Sequence, residues 1–419
     1  MRILFVVAYA PSLIRCRPYQ LIRTLARRGH ALVVATLWTN EEEQAELESL
    51  AGENVSVVSR RMSAWHSLVN CIKALPTRRP LQSAFSWQPQ LMNDLVRLVR
   101  DGQFDVVHVE HVRGAQYGVH LRRILDDRNG SVARELPIVW DSVDCISYLY
   151  RQASEQSRSY KGRLMGAVDC ARTETFEAGA ADVFDRILLT SPVDVKAFER
   201  AAQNQGAGPP RNLRILCQGV DLEYFSPSDV PRDPGCLVFS GKMSYHANIA
   251  ALNHLLSEVM PHIWSLRPDV KLLIVGKNPS AGVRALCRRD GRVVVTGTVE
   301  DIRPYLSRAT VAVAPICYGA GVQNKVLEAM ACATPVVASP IATSALKVRP
   351  GIDVLVGDEP QAFARHVERL LGNPSLRREL GLSGRRYVEQ HHSWDVVAAR
   401  LESFYVEAAQ TRLARVCVS

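Results

Sequence analysis

Ala314-Pro-Ile-Cys-Tyr-Gly-Ala-Gly-Val-Gln-Asn-Lys-Val-Leu-Glu-Ala-Met-Ala-Cys-Ala-Thr-Pro-Val-Val-Ala-Ser339 is the most informative stretch of the 419-residue chain. It leaves an apolar strand, Val311 to Ala314, and turns through Gly319-Ala320-Gly321. A helix from about Val322 to Ala331 follows, and the chain returns as a second strand, Pro335 to Ala338. Strand, glycine turn, helix and strand make the repeating unit of a parallel sheet, and the free N–H groups and dipole at such a helix start attract phosphate. Lys325 and Glu328, three apart, share one helix face. There a cation can meet a diphosphate while a carboxylate accepts the two hydroxyls of a ribose. On an ordinary helix the same two residues would be a surface ion pair.

The same alternation extends outward in both directions. Arg2 to Ala8 reads as a strand, Pro18 to Arg28 as a helix with Leu21, Ile22 and Leu25 inward, Gly29-His30 as its stop, and Ala31 to Thr36 as the next strand. Further strands at Val55 to Val58, Val106 to Val109, Ile138 to Trp140 and Ile187 to Thr190 complete a doubly wound domain over residues 1–200. Residues 201–235, rich in Gln, Asn, Gly and Pro apart from a short strand at Leu213 to Leu216, read as a connector. A second domain, 236–392, carries strands Cys236 to Ser240, Lys271 to Val275 and Val293 to Thr296, with helices Ile249 to Ser265 and Pro360 to Leu371. Residues 393–419 hold a last helix, Trp394 to about Gln410, long enough to cross back to the first domain. The predicted fold is α/β: two tandem Rossmann-like doubly wound domains facing a cleft, with ligands at the carboxyl ends of the strands.

Composition agrees with this reading. Hydrophobic residues make up 47% of the chain and charged residues 22%, which excludes disorder. The opening run Ile3 to Val7 is far short of the ~20 apolar residues that span a bilayer and lacks the cleavage site of a signal peptide. Ten scattered cysteines with no Cys-x-x-Cys, and eleven histidines with no His-x-x-x-His, predict a reduced cytoplasmic protein without structural zinc. A net charge of +9 favours anionic partners.

Read together, several motifs resemble the GT-B glycosyltransferases of family 4, which are retaining and use nucleotide-sugar donors. Lys325-Val-Leu-Glu-Ala-Met-Ala with Pro335-Val-Val-Ala-Ser is similar to that family's donor motif. Gly29-His30, Gly219-Val-Asp-Leu-Glu-Tyr-Phe-Ser-Pro227, Phe239-Ser-Gly-Lys-Met-Ser-Tyr245 and Val293-Val-Val-Thr-Gly-Thr-Val-Glu-Asp301 match in order. The resemblance implies that Glu328 holds the donor ribose and that Lys242 and Lys325 face the diphosphate. His246 and Asn248 stand where the family's second basic residue is usual. Gly297, Thr298 and Val299 form the loop that meets the base, Gly241 and Gly276 allow close approach, and Gly319, Gly321 and Val322 complete the donor loop. Eight positions before Glu328, where the family commonly has a second glutamate, stands Ala320.

The first domain is expected to receive the acceptor. Two strands are expected to run out into loops there, the first presenting Glu110, His111 and Arg113 and the second Asp141, Ser142 and Asp144. Asp144 stands in for the family's histidine near the reaction centre, with His111 as its rival. Arg15 and Arg17, in the first strand-to-helix loop, suit an acidic acceptor or the diphosphate. Arg60, Arg61, Lys73, Arg78 and Arg79, interleaved with Trp65, Leu68 and Trp87, make a basic and aromatic patch suited to an anionic membrane face or to a solvated helix surface. The expected enzyme transfers a sugar from UDP-sugar or GDP-sugar to a glycan, lipid-linked or small-molecule hydroxyl, in exopolysaccharide or other cell-surface glycan assembly. No cofactor and no metal are expected, since the chain has no Asp-x-Asp. A GT-B epimerase or phosphorylase is the neighbouring alternative. A basic nucleic-acid-binding protein is the alternative from a different class, against which the dispersal of the basic residues argues.

Overall fold

The computed structural model describes residues 1–127, 135–156, 160–277, 279, 284, 290–319 and 321–418. Apolar runs such as Ile3 to Val7 and Val311 to Ala314 form strands covered on both faces. In β4 (Val106–Glu110) and β11 (Ala309–Ala314) every residue is buried, as a parallel sheet between helix layers requires. The chain divides into one unit of residues 1–217 with 397–419, and a second of residues 218–396. The first unit therefore takes in about half of the expected connector, because Leu213 to Ile215 is a strand of its sheet.

The first sheet runs β3-β2-β1-β4-β5-β6-β7, all parallel. Besides β4 it contains β1 (Arg2–Val7), β2 (Ala31–Trp38), β3 (Val55–Arg61), β5 (Ile138–Val143), β6 (Arg186–Leu189) and β7 (Leu213–Ile215). The second sheet runs β10-β9-β8-β11-β12-β13, again parallel. Its strands are β8 (Asp233–Ser240), β9 (Lys271–Val275), β10 (Val293–Gly297), β11, β12 (Val336–Ala338) and β13 (Leu355–Val356). In each sheet the winding reverses once, between β1 and β4 and between β8 and β11. Helices leave in opposite directions at such a point and open a crevice at the carboxyl ends of the two strands. Those two strand ends are therefore where each unit's ligand chemistry belongs.

Several elements differ from the sequence reading. The expected helix from Ile249 to Ser265 is two α-helices, His246–His254 and Met260–Leu266, joined by a π turn over Leu255–Val259. Pro261 is the cause, since it cannot donate the backbone hydrogen bond a continuous helix needs. The helix expected to begin near Val322 spans Asn324–Ala331. Gly321, at φ +69, and Gln323, at φ −82 and ψ +96, hold the preceding residues out of helical geometry. The last helix runs from Trp394 to Val418, past the expected end near Gln410.

Candidate active site

The second unit's switch point is built on backbone contact. Gly241 ends β8 at φ +143 and Gly276 ends β9 at φ +155. A Cβ on Gly276 would stand 1.7 Å from the Gly241 carbonyl oxygen, so only glycine fits there. The Met243 amide donates to the Lys277 carbonyl at 2.9 Å, and the Gly276 amide to the Gly297 carbonyl at 3.2 Å, which ties the ends of β8, β9 and β10 together. Thr298 is exposed just beyond, and half-buried Val299 packs against the core. Ala320, named from the sequence, lies outside the described residues.

On the other side of the switch point, the loop after β11 carries Gly319, Gly321 and Val322 to the Asn324–Ala331 helix. The helix start has no side-chain cap, so its first amides stay available to an anion. The Lys325 ammonium donates to Asn248 Oδ1 at 2.5 Å and lies 4.8 Å from the centre of the Phe239 ring. Asn248 in turn donates to the Lys242 carbonyl at 2.9 Å. Asn248, in the place of a basic residue, thus fixes a lysine that comes from another element. The Lys242 side chain is exposed, with no hydrogen-bond or ion-pair partner among the described residues.

Glu328 is half-buried and, despite its i,i+3 spacing from Lys325, forms no ion pair with it. Its carboxylate accepts no hydrogen bond from any described residue. Burial pushes it up to about 7 against the pull of Lys325. Burial also lowers Lys325 to about 8. A carboxylate kept this poorly solvated and unpaired is ready to accept hydroxyl hydrogen bonds. Tyr318, which the motif reading did not single out, stacks on His246 with ring centres 5.5 Å apart, and His246 Nδ1 lies 2.8 Å from the tyrosine oxygen. An aromatic residue inside a glycine-rich turn was the available signal.

The first unit corrects several expectations. β4 passes directly into a helix, His111–Asp126, with no intervening loop. Glu110 is therefore the fully buried last residue of a strand, and Asp141 and Ser142 are buried within β5. Arg17 lies in the first turn of the Cys16–Arg27 helix and is only 5% exposed. It clamps Asp141 with two bonds of 2.9 and 3.1 Å and donates to the carbonyls of Leu216 and Cys217, so it is a structural cation, not one open to an acceptor. Arg15 is paired with Glu43 at 3.0 Å. Sequence spacing could not reveal either partner, since each lies on a different strand or helix.

What remains at the β1/β4 switch point is a cationic and aromatic cluster. The guanidinium groups of Arg15 and Arg113 lie 5.2 and 5.9 Å from the centre of the Tyr9 ring. The His111 ring meets Tyr9 edge-on at 6.2 Å. Arg113 has no acidic partner among the described residues. His111 sits at φ +60, and burial pushes its imidazole down to about 3, so it is neutral. At the end of β5, Val143 adopts φ +70, a strained turn for a β-branched residue. That turn aims Asp144 at Thr190, whose hydroxyl donates to it at 3.2 Å, and burial raises the carboxyl to about 7.

Behind this cluster, potential ligand atoms of His108, Glu110 and Asp141 all lie within 4.8 Å of one another. Both Asp141 oxygens are engaged by Arg17, and His108 Nδ1 is 2.9 Å from the Tyr405 hydroxyl. A metal there would have to displace a guanidinium, so this donor set does not fit a cation.

Comparison with known proteins matches this geometry to a family. Residues 234–373, which contain Lys242, Lys325 and Glu328, match the family model described as glycosyl transferases group 1. A D-inositol 3-phosphate glycosyltransferase of Streptomyces bingchenggensis is 27% identical over 55% of this chain and 54% of its own length. A protein of the same name from Kribbella flavida is 26% identical over 94% of this chain and 90% of its own. The sucrose-phosphate synthase of Thermosynechococcus elongatus superposes with a TM-score of 0.66 at 19% identity, covering 97% of this chain and 98% of that one. Anabaena HepE, solved with UDP and glucose, superposes with a TM-score of 0.65 at 14% identity, covering 96% and 98%. The chain has the GT-B fold, and its residues 234–373 match the group 1 glycosyltransferase model. The chain spans about half the length of the S. bingchenggensis relative it matches.

In the GT-B protein the stretch Gly219 to Pro227 has a structural task. Val220 pairs with Ser393, and the Val220 amide donates to the His392 carbonyl at 2.7 Å. The segments that enter and leave the second unit therefore lie side by side. Trp394 packs flat on Gly219, where a Cβ would come within 2.4 Å of the indole.

Proposed function

We propose that the GT-B protein is a retaining glycosyltransferase of family 4 that moves a sugar from a UDP- or GDP-sugar to a hydroxyl acceptor. The observation that carries this reading is the unpartnered Glu328 carboxylate beside the Asn248-held Lys325, at the carboxyl ends of β8 and β11. Glu328 accepts the ribose hydroxyls of the donor. Lys242, Lys325 and the uncapped helix start at Asn324 counter the charge that grows on the departing diphosphate as the anomeric carbon becomes oxocarbenium-like. The departing phosphate oxygen accepts the acceptor's proton, so no side-chain base is needed and no metal is required. Of the first unit's two candidates for the reaction centre, His111 stands at the β1/β4 switch point while Asp144 is tied to Thr190. The same reading places the protein in the cytoplasm or at the inner face of the membrane, building a cell-surface glycan.

The test is thermal stabilisation by UDP, GDP, ADP and their sugar conjugates at millimolar concentration, repeated with Glu328→Ala. One nucleotide should stabilise the wild type by at least ~1 kcal/mol, and the substitution should abolish the effect. Stabilisation by none of them overturns the reading. Once a donor is known, the anomeric configuration of the product tests retention, and activity in EDTA tests metal independence.

A further inference from the structure

The Ala64–Ala74 helix turns a row of apolar side chains to solvent. Trp65, Leu68, Ile72 and Leu75 are 73, 50, 55 and 56% exposed. Their spacings of three, four and three place them on one stripe of the helix. The adjoining stripe, His66, Asn70, Lys73 and Thr77, lines a cavity of about 290 Å³ together with Arg79. A second cavity of about 290 Å³ shares Arg79 and adds His120 and Arg123 to its walls.

Charge along this stretch of the chain is one-sided, the nearby acid Asp169 being engaged by the Leu81 amide at 2.9 Å. Between Glu53 and Asp94 the chain has no acidic residue, while it has Arg60, Arg61, Lys73, Arg78 and Arg79. Arg60 is on β3 and is clamped by Asp94 at 2.6 and 2.9 Å, so it does not belong to the free patch. Trp87 does not belong either, since it stacks on Tyr117 with ring centres 4.9 Å apart. Lys73, Arg78 and Arg79 are exposed and have no acidic partner among the described residues.

We propose that this face docks the protein peripherally on an anionic lipid bilayer. The helix lies in the plane of the interface, with Trp65, Leu68, Ile72 and Leu75 at the boundary between headgroups and acyl chains. His66, Lys73 and Arg79 receive a lipid phosphate at the mouth of the cavity they line. An apolar stripe beside three exposed cations complements a surface that is both apolar and negative. A second copy of the chain would oppose like charges. No helix among the described residues is long and apolar enough to cross a membrane, so the contact is superficial. The proposal does not depend on glycosyl transfer.

Flotation of the full chain with phosphatidylglycerol–phosphatidylcholine vesicles, and with phosphatidylcholine alone, tests it. The wild type should float with the anionic vesicles only. Lys73→Glu/Arg78→Glu/Arg79→Glu should lower the partition at least ~100-fold, given a roughly fivefold effect per cation removed. Trp65→Ser/Leu68→Ser/Ile72→Ser should lower it by a similar factor. A control with the same change in net charge elsewhere, Arg365→Glu/Arg369→Glu/Arg378→Glu, should keep binding within about threefold. No flotation of the wild type, equal flotation with neutral vesicles, or equal loss in the control overturns the proposal. An unchanged melting temperature in the variants shows that they fold, and the nucleotide stabilisation experiment stays independent of the outcome.

Discussion

Glu328 and Lys325 set the pH range in which the donor site works. Glu328 holds its proton up to about 7 and Lys325 keeps its charge up to about 8. In the proposed reading, ribose binding needs the carboxylate and diphosphate binding needs the ammonium. Nucleotide affinity, measured by calorimetry from about pH 6 to about pH 9, should therefore rise through 7 and fall past 8. Glu328→Gln should weaken binding by about tenfold or more above about pH 7, with the difference from wild type shrinking toward pH 6. The same substitution bears on stability with a definite sign. A carboxyl whose folded value lies above its unfolded one costs stability as pH climbs between the two, so Glu328→Gln should be the more stable protein at about pH 8, by ~1 kcal/mol, and equal to wild type at about pH 4. The motif singled out both residues, and the structure brings them together on one helix. That Asn248 holds Lys325 was not legible in the sequence, because 77 residues separate them.

At the scale of elements, the turn ends are decided by how closely backbones approach. Gly276→Ala would drive a Cβ into the Gly241 carbonyl, and neither backbone can yield without moving a strand. Chemical denaturation should show a loss of about 3 kcal/mol or more, or no folded protein. Gly297→Ala, at φ +75 with open space around its Cβ position, should cost only about 1 kcal/mol. Val143 offers the opposite case. Its φ of +70 strains a β-branched residue, so Val143→Asn should stabilise the protein by about 1 kcal/mol. Strand positions were readable because parallel strands are apolar throughout. The π turn before Pro261 was not, because apolar periodicity continues through it while the hydrogen-bond pattern changes.

Across the molecule, the buried cluster behind β4 couples four charged or titratable groups to the last helix. Burial pushes Glu110 up to about 7 and His108 down to about 4, so near neutrality the carboxyl is close to half protonated and the imidazole is uncharged. Asp141 is raised to about 6 by burial, against Arg17, and remains ionised at pH 7. The interior therefore holds one compensated pair, Arg17 with Asp141, which is complete only above about pH 6. Raising the pH forces a second buried negative charge onto Glu110, so the melting temperature should fall between about pH 5 and pH 8, and less steeply in Glu110→Gln. Asp141→Asn should cost about 3–5 kcal/mol by leaving the Arg17 charge buried and unmatched.

By itself, the sequence determined two doubly wound units and the strand and helix types, and it singled out the residues proposed for the donor, because periodicity and glycine turns are local. Tertiary structure decided the strand orders, and with them the two switch points at β1/β4 and β8/β11 where ligand chemistry converges. It also decided which cations are free. Arg15, Arg17 and Arg60 look like Arg113, Lys242 and Lys73 in the sequence, but three are claimed by acids from distant elements and three have no acidic partner among the described residues. Charge pairing depends on what lies within about 4 Å in space, and no local pattern records that.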